Sequence, residues 1–133
     1  MTLELHGTPE EVMRAVEALE AFGEEKEIPT KILFGLTLAL EECGSNIVKH
    51  ALHRDPSRIF RVTFIHTGGE MIIELRDSGA EFDPTLAPPG DGIADDDEPP
   101  GGWGIFLVRK YTDKMRHTRE GGENVLRLIK KLA

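Results

Sequence analysis

The chain predicts an α+β two-layer sandwich: a mostly antiparallel mixed sheet with three helices on one face. Three observations carry this expectation. Segments with period-2 alternation are joined in pairs by Gly-Gly dipeptides, the mark of hairpin-linked strands. Three other segments carry apolar residues at helical spacing. The order strand, helix, helix, strand, strand, loop, helix, strand, strand provides no regular strand–helix–strand alternation for a parallel sheet. The 133 residues suffice for a single domain spanning 1–133, and no internal repeat or linker divides them.

Each element has its own signals. Leu3 and Leu5 alternate with polar neighbours and read as a first strand. Thr8-Pro9-Glu10-Glu11 is an N-cap, a proline at the first helical position and two first-turn acids. Val12, Ala15, Val16, Leu19 and Phe22 continue that helix, which Gly23 is expected to end. Pro29-Thr30 opens a longer helix to about Leu52, with Ile32, Leu33, Leu36, Leu40, Ile47 and Ala51 apolar. Asp55-Pro56-Ser57 is a turn. Ile59–Ile65 and Met71–Leu75 form a hairpin about Gly68-Gly69. Ile105, Phe106, Leu107, Val108 and Tyr111 suit a third helix opened by glycines, and Met115–Arg119 and Val125–Leu132 a closing hairpin about Gly121-Gly122.

Charge is unevenly placed. The total is −8, which argues against direct grip on nucleic-acid phosphates. Between Ser78 and Val108 there are seven acids (Glu81, Asp83, Asp91, Asp95, Asp96, Asp97, Glu98) and no Lys or Arg, leaving 17 acids against 16 bases elsewhere. Prolines and glycines crowd the same stretch, so a flexible loop is expected at about 83–101, as a lid or a solvated insertion. No apolar run approaches the ~20 residues of a membrane span. Met-Thr-Leu-Glu-Leu-His lacks the basic and apolar regions of a signal peptide, and Cys43 is alone, so the expectation is a cytoplasmic protein without internal disulfide or cysteine-rich metal cluster.

Four features converge on chemistry. Glu42 and Asn46 are four apart on the long helix, hence on one face, with Lys49 on its neighbouring edge. A carboxylate and an amide oxygen so placed suit positioning of a hydroxyl and binding of Mg²⁺. Asp77-Ser78-Gly79 follows a strand, where the sheet would fix the carboxylate. Gly101-Gly102-Trp103-Gly104 opens the third helix with backbone N–H groups free for an anion. Taken singly these read as a solvated helix face, a turn and a loop; together, in this order, they are far less expected by chance. Trp103 suits the core as well as a ligand or partner contact. His50 and His53 read as helix-end residues, Cys43 as a buried helix residue, and Lys114, Arg116, Arg119, Lys130 and Lys131 as solvated edge charges.

The stretch Leu38–Ala51, LALEECGSNIVKHA, resembles the N-box of the ATPase superfamily shared by gyrase, the Hsp90 chaperones, histidine kinases and the DNA-mismatch ATPases. DSGAEFDP, residues 77–84, is similar to its first glycine box, and GGWGIFLVRKYTDKM, residues 101–115, to its second. With its short length and the ending GGENVLRLIKKL, the chain most resembles the anti-sigma factor serine/threonine kinases. The resemblance implies a Bergerat-type ATP-binding fold with ATP and Mg²⁺ as cofactors. It implies Glu42 as general base toward the attacking hydroxyl and Asn46 as the Mg²⁺ ligand. Asp77 would accept from the adenine amino group, with Gly79 giving the base room. Gly102, Gly104 and Ile105 would line the nucleotide site, Lys49 would contact phosphate, and the acidic loop would be the ATP lid. The implied partners are a sigma factor, a STAS-type anti-sigma-factor antagonist phosphorylated on serine, and a second copy of the chain; neither nucleic acid nor membrane is implied. Where many relatives carry a lid Arg or Lys and a last-strand Thr, this chain has none before Arg109, and Glu123, Asn124 and Arg127. Those departures favour an alternative, a nucleotide-gated binding module without phosphotransfer, whereas the intact Glu42–Asn46 pair favours the kinase. A detached ATPase domain of a multiprotein signalling kinase is a third reading.

Overall fold

The computed structural model describes residues 1–86 and 101–132, and of residues 86 and 101–104 only their place in a helix. The elements are β1 (Thr2–His6), α1 (Pro9–Glu25), α2 (Thr30–Asn46) continued by a π-helical segment (Ile47–Ala51), β2 (Ile59–His66), β3 (Glu70–Asp77), a 3-10 turn (Pro84–Leu86), α3 (Gly101–Tyr111), β4 (Lys114–Glu120) and β5 (Glu123–Lys131). Among the described residues the sheet has five strands in the order β1-β2-β3-β5-β4. Every pairing is antiparallel: β2–β3 and β4–β5 are hairpins, while β1–β2 and β3–β5 pair strands joined through intervening helices.

The register sorts the two faces. Val62 opposes Leu75, Leu75 opposes Leu126, and Phe64, Ile73 and Leu128 form the next row. These residues are buried in one cluster with Val12, Leu19, Leu36, Leu40 and Val108 from the three helices, which therefore cover a single face. Truncating such a side chain, for example Phe64, is expected to cost about 3–5 kcal/mol. The opposite face carries ion pairs instead: Arg61 with Glu123 at 2.8 Å, Arg76 with Glu74 and Glu120, and Arg127 with Glu74. This is the apolar-in, polar-out pattern of a sheet covered on one side.

Three expectations are revised. α1 does not stop at Gly23 but runs on to Glu25, because Gly23 serves a close approach: a Cβ there would lie 2.5 Å from Leu33 of α2. The long helix leaves α-geometry after Asn46, and the Leu52 amide bonds the Ile47 carbonyl, five residues back. Arg119 is more than an edge charge, since its Nη1 donates to the Gly79 carbonyl at 2.7 Å, and Lys130 pairs with Asp113 at 3.7 Å. The acidic loop falls largely on residues 87–100, outside the described residues. Its root is described: Asp83 Oδ1 accepts from the Thr85 amide at 2.9 Å, and Arg109 of α3 donates to the Thr85 carbonyl at 2.8 Å.

Candidate functional site

Where the end of β3 meets the end of α2 there is a cavity of about 270 Å³, just below the usual range of small-molecule sites (roughly 300–1,000 Å³). One wall is the α2 end with Cys43, Asn46, Ile47, His50 and Ala51. The other comprises Asp77, the Ala80–Phe82 and Pro84 stretch, Ile105 of α3, His117 of β4 and Asn124 and Leu126 of β5. Ile47, Ala51, Ile105 and Leu126 give the cavity apolar walls, with Asp77 as a carboxylate among them.

The sheet fixes Asp77. It opposes Phe60 on β2 and Asn124 on β5, so its side chain points to the helical face at the last pleat of β3. Asp77 is 6% exposed. Its Oδ1 accepts from the Gly79 amide at 2.9 Å and from Asn124 Nδ2 at 3.0 Å. No described residue donates to Oδ2. Since no side-chain N or O among the described residues is both sealed from solvent and unpartnered, Oδ2 reaches the cavity. A carboxylate with one oxygen satisfied and the other open is an acceptor aimed at a ligand donor.

Gly79 stands behind this wall rather than on it. A Cβ there would lie 2.7 Å from the Ala51 Cβ and 2.9 Å from its Cα, so the space freed by glycine is taken by the π-helical end of α2. Its contribution is to hold Asp77, through its amide, and to let the turn dock on the helix.

On α2 the predicted residues separate. Asn46 lines the cavity, and its side chain has no hydrogen bond among the described residues. Glu42, one turn earlier, is half-buried and off the cavity wall. Burial holds its carboxyl above the usual carboxylate range, neighbouring Glu41 adds to this, and the Lys49 charge opposes it. Lys49 is thus within electrostatic reach of Glu42, also off the wall. Ile105 is buried and lines the cavity. Gly102 and Gly104 lie in the first turn of α3, with Trp103, whose side chain is outside the described part. Cys43 faces the cavity, but burial pushes its thiol up to about 12, so it is no thiolate nucleophile near neutrality.

Among the described residues no three His, Cys, Asp or Glu side chains cluster for a metal. Mg²⁺ is satisfied by one or two protein oxygens together with phosphates and water. Asn46 supplies one such oxygen at the cavity and fits that mode, whereas the described residues offer no all-protein metal cage.

Sequence reasoning passed over the residues that back Asp77. Asn124 is 5% exposed and opposes both Asp77 and Arg119 across the sheet. His117 opposes Leu126 and so faces the same side, with its Nε2 2.9 Å from Asn124 Oδ1.

The chain matches the family described as "Histidine kinase-like ATPase domain" over residues 5–130. It is 33% identical over 129 residues to the serine/threonine-protein kinase BtrW of Bordetella bronchiseptica, covering 96% of this chain and 90% of that one. The structure of the RsbU and RsbW domains of Rv1364c from Mycobacterium tuberculosis is similar with a TM-score of 0.64 at 14% identity, over 99% of this chain and 32% of that one. The SiaB–SiaC complex from Pseudomonas aeruginosa contains a chain similar with a TM-score of 0.69 at 10% identity, over 97% of this chain and 88% of that one. At these identities the two structures speak for the fold alone.

Proposed function

Because the chain belongs to the histidine kinase-like ATPase family, we propose that it binds ATP in the cavity beside Asp77 and transfers the γ-phosphoryl group to a serine of a partner protein. The partner proposed is a STAS-type anti-sigma-factor antagonist, and the chain also sequesters a sigma factor, acting as a homodimer in the cytoplasm. One observation carries the nucleotide reading: Asp77, with Oδ1 saturated and Oδ2 open to an apolar cavity, is matched to the amino group of adenine. The name of BtrW, a serine/threonine-protein kinase, supports the reaction class.

The residues divide the work. Asp77 accepts from the base, and Ile105 and Leu126 pack against it. Asn46, on the cavity wall, would hold Mg²⁺ through its amide oxygen, and Lys49 and the helix start at Gly102 and Gly104 would serve the phosphates. Mg²⁺ neutralises the charge of the transferring phosphoryl group when bound. Glu42 takes the proton of the attacking serine hydroxyl; its raised carboxyl makes it a stronger base than an ordinary glutamate. Phosphoryl transfer is chiefly positioning and electrostatics, so these few groups suffice.

A second reading, a nucleotide-gated binding module without phosphotransfer, is favoured by the position of Glu42 off the cavity wall. Incubation with γ-labelled ATP, Mg²⁺ and a purified STAS-type antagonist decides between them. Label on the antagonist serine, lost in Glu42→Gln, supports the kinase. Saturable ATP binding with no label transferred supports the module.

A further inference from the structure

Behind Asp77 lies a closed set of hydrogen bonds. The Phe82 amide can only donate, and it meets Asn124 Oδ1 at 3.1 Å. The Ala80 carbonyl can only accept, and it meets Asn124 Nδ2 at 2.9 Å. These two backbone groups fix which end of the Asn124 amide is oxygen. The second Nδ2 hydrogen goes to Asp77 Oδ1 at 3.0 Å, and the second lone pair of Oδ1 of Asn124 faces His117 Nε2 at 2.9 Å. His117 Nε2 must therefore carry a hydrogen. All four hydrogen-bonding capacities of the amide are used, so its orientation cannot change without breaking several bonds at once.

His117 is itself held. Its side chain is 5% exposed, and the Asp83 carboxylate lies 3.8 Å from its Nδ1. On the same strand Arg119 anchors the Gly79 carbonyl. The strand pair β4–β5 thus grips the turn after β3 at the carbonyls of residues 79 and 80, the amide of Phe82 and the Asp77 carboxylate. Burying three polar side chains at a site where Leu126 shows that apolar packing also fits costs stability unless the set is complete.

We propose that His117, acting through Asn124, is a positioning residue for Asp77: it keeps Oδ1 occupied, so that Oδ2, which can only accept, faces the base and selects a 6-amino purine over a 6-oxo purine. The proposal rests on the reading of this cavity as an ATP site. Loss of the His117 hydrogen bond leaves one lone pair of the buried Asn124 Oδ1 unpaired and loosens the amide, which together with the Gly79 amide orients Asp77. A 6-amino group then meets a carboxylate no longer aimed at it, whereas a 6-oxo group, which gained nothing from Oδ2, loses nothing.

The test compares the full chain with His117→Leu and His117→Gln, by calorimetric titration with Mg-ATP and with Mg-inosine triphosphate. Gln places an amide N–H where Nε2 stands; Leu does not. His117→Leu is expected to weaken ATP by about tenfold and to leave inosine triphosphate within about twofold, with His117→Gln within about threefold of the parent for both. Nitrogen-15 NMR of the nucleotide-free chain is expected to find the Nε2–H tautomer. Equal weakening of both nucleotides by Leu would reduce His117 to packing and overturn the proposal, as would a Gln variant no better than Leu, or an Nδ1–H tautomer. If the Leu variant does not fold, Gln and the tautomer still decide. A parent chain that binds neither nucleotide would overturn the ATP reading itself, a result distinct from unaltered discrimination in a parent that binds ATP well.

Discussion

Replacing Asp77 by Asn perturbs the site with little change of shape, and the surrounding structure dictates how the new amide must sit. Asp77 Oδ1 is fixed between two donors, the Gly79 amide at 2.9 Å and Asn124 Nδ2 at 3.0 Å. In Asp77→Asn the oxygen has to stay there, since the flipped amide would set its NH₂ against both donors. The NH₂ therefore takes the place of Oδ2 and confronts the amino group of adenine, donor against donor. A hydrogen bond to a charged group is worth about 1.5–3 kcal/mol, and its loss corresponds to a Kd about 10- to 150-fold weaker. Folding is spared because both internal bonds survive. The assay is calorimetric titration with Mg-ATP beside a thermal melt. A Kd within about twofold of the parent, with Tm unchanged, would refute the placement of the base against Asp77.

Other variants address the remaining parts of the site. Glu42→Gln is expected to leave the ATP Kd nearly unchanged and to slow transfer by about 10²- to 10⁴-fold, read in single-turnover label transfer. In the parent, burial raises the Glu42 carboxyl, so the rate should fall with acid at a pH above the ordinary carboxylate range. The stability sign follows from the same shift. The folded chain holds this proton more tightly than the unfolded one, so Glu42 costs stability as pH rises through its raised value and nothing below the ordinary one. Glu42→Gln should accordingly raise Tm at pH 7 and not at pH 4. Gly79→Ala drives a Cβ to 2.7–3.0 Å of Ala51, a contact with helix backbone that cannot rotate away; a loss of about 1–3 kcal/mol is expected in denaturant unfolding. Cys43, with its thiol pushed up to about 12, should resist iodoacetamide at pH 8 in the native chain and react on unfolding; rapid native labelling would contradict its burial.

Much of the fold was legible because local signals and tertiary packing agree. Thr8-Pro9 starts α1 where Thr8 Oγ1 accepts from the Glu11 amide, and the alternation of Phe60, Val62 and Phe64 is the inner face of β2. Gly23 misled because a helix glycine and a helix-ending glycine look alike in sequence; only the neighbour across the packing, Leu33, separates them. The π-helical turn after Asn46 had no signal in residue types, since Ile47–Ala51 is compatible with either ladder.

The site divides along the same line. Asn46 and Asp77, both on the cavity wall, stood out in the sequence because each sits in a local pattern, on one helix and at one strand end. Asn124 and His117 could not, since they join Asp77 through a register between strands some 40 residues apart, which a single sequence does not encode locally. Arg119 was lost for the same reason: an exposed arginine on an edge strand is ordinarily a solvated charge, and only the turn folding back beneath it gives its guanidinium the Gly79 carbonyl.

The central claim is an adenine nucleotide seated on Asp77. Titration of the purified chain with ATP, with and without Mg²⁺ and against inosine triphosphate, tests it most directly. Saturable binding at one site per chain, strengthened by Mg²⁺ and weaker for inosine triphosphate, is the result the structure predicts. Absence of binding up to millimolar ATP, or equal affinity for the two nucleotides, would contradict it.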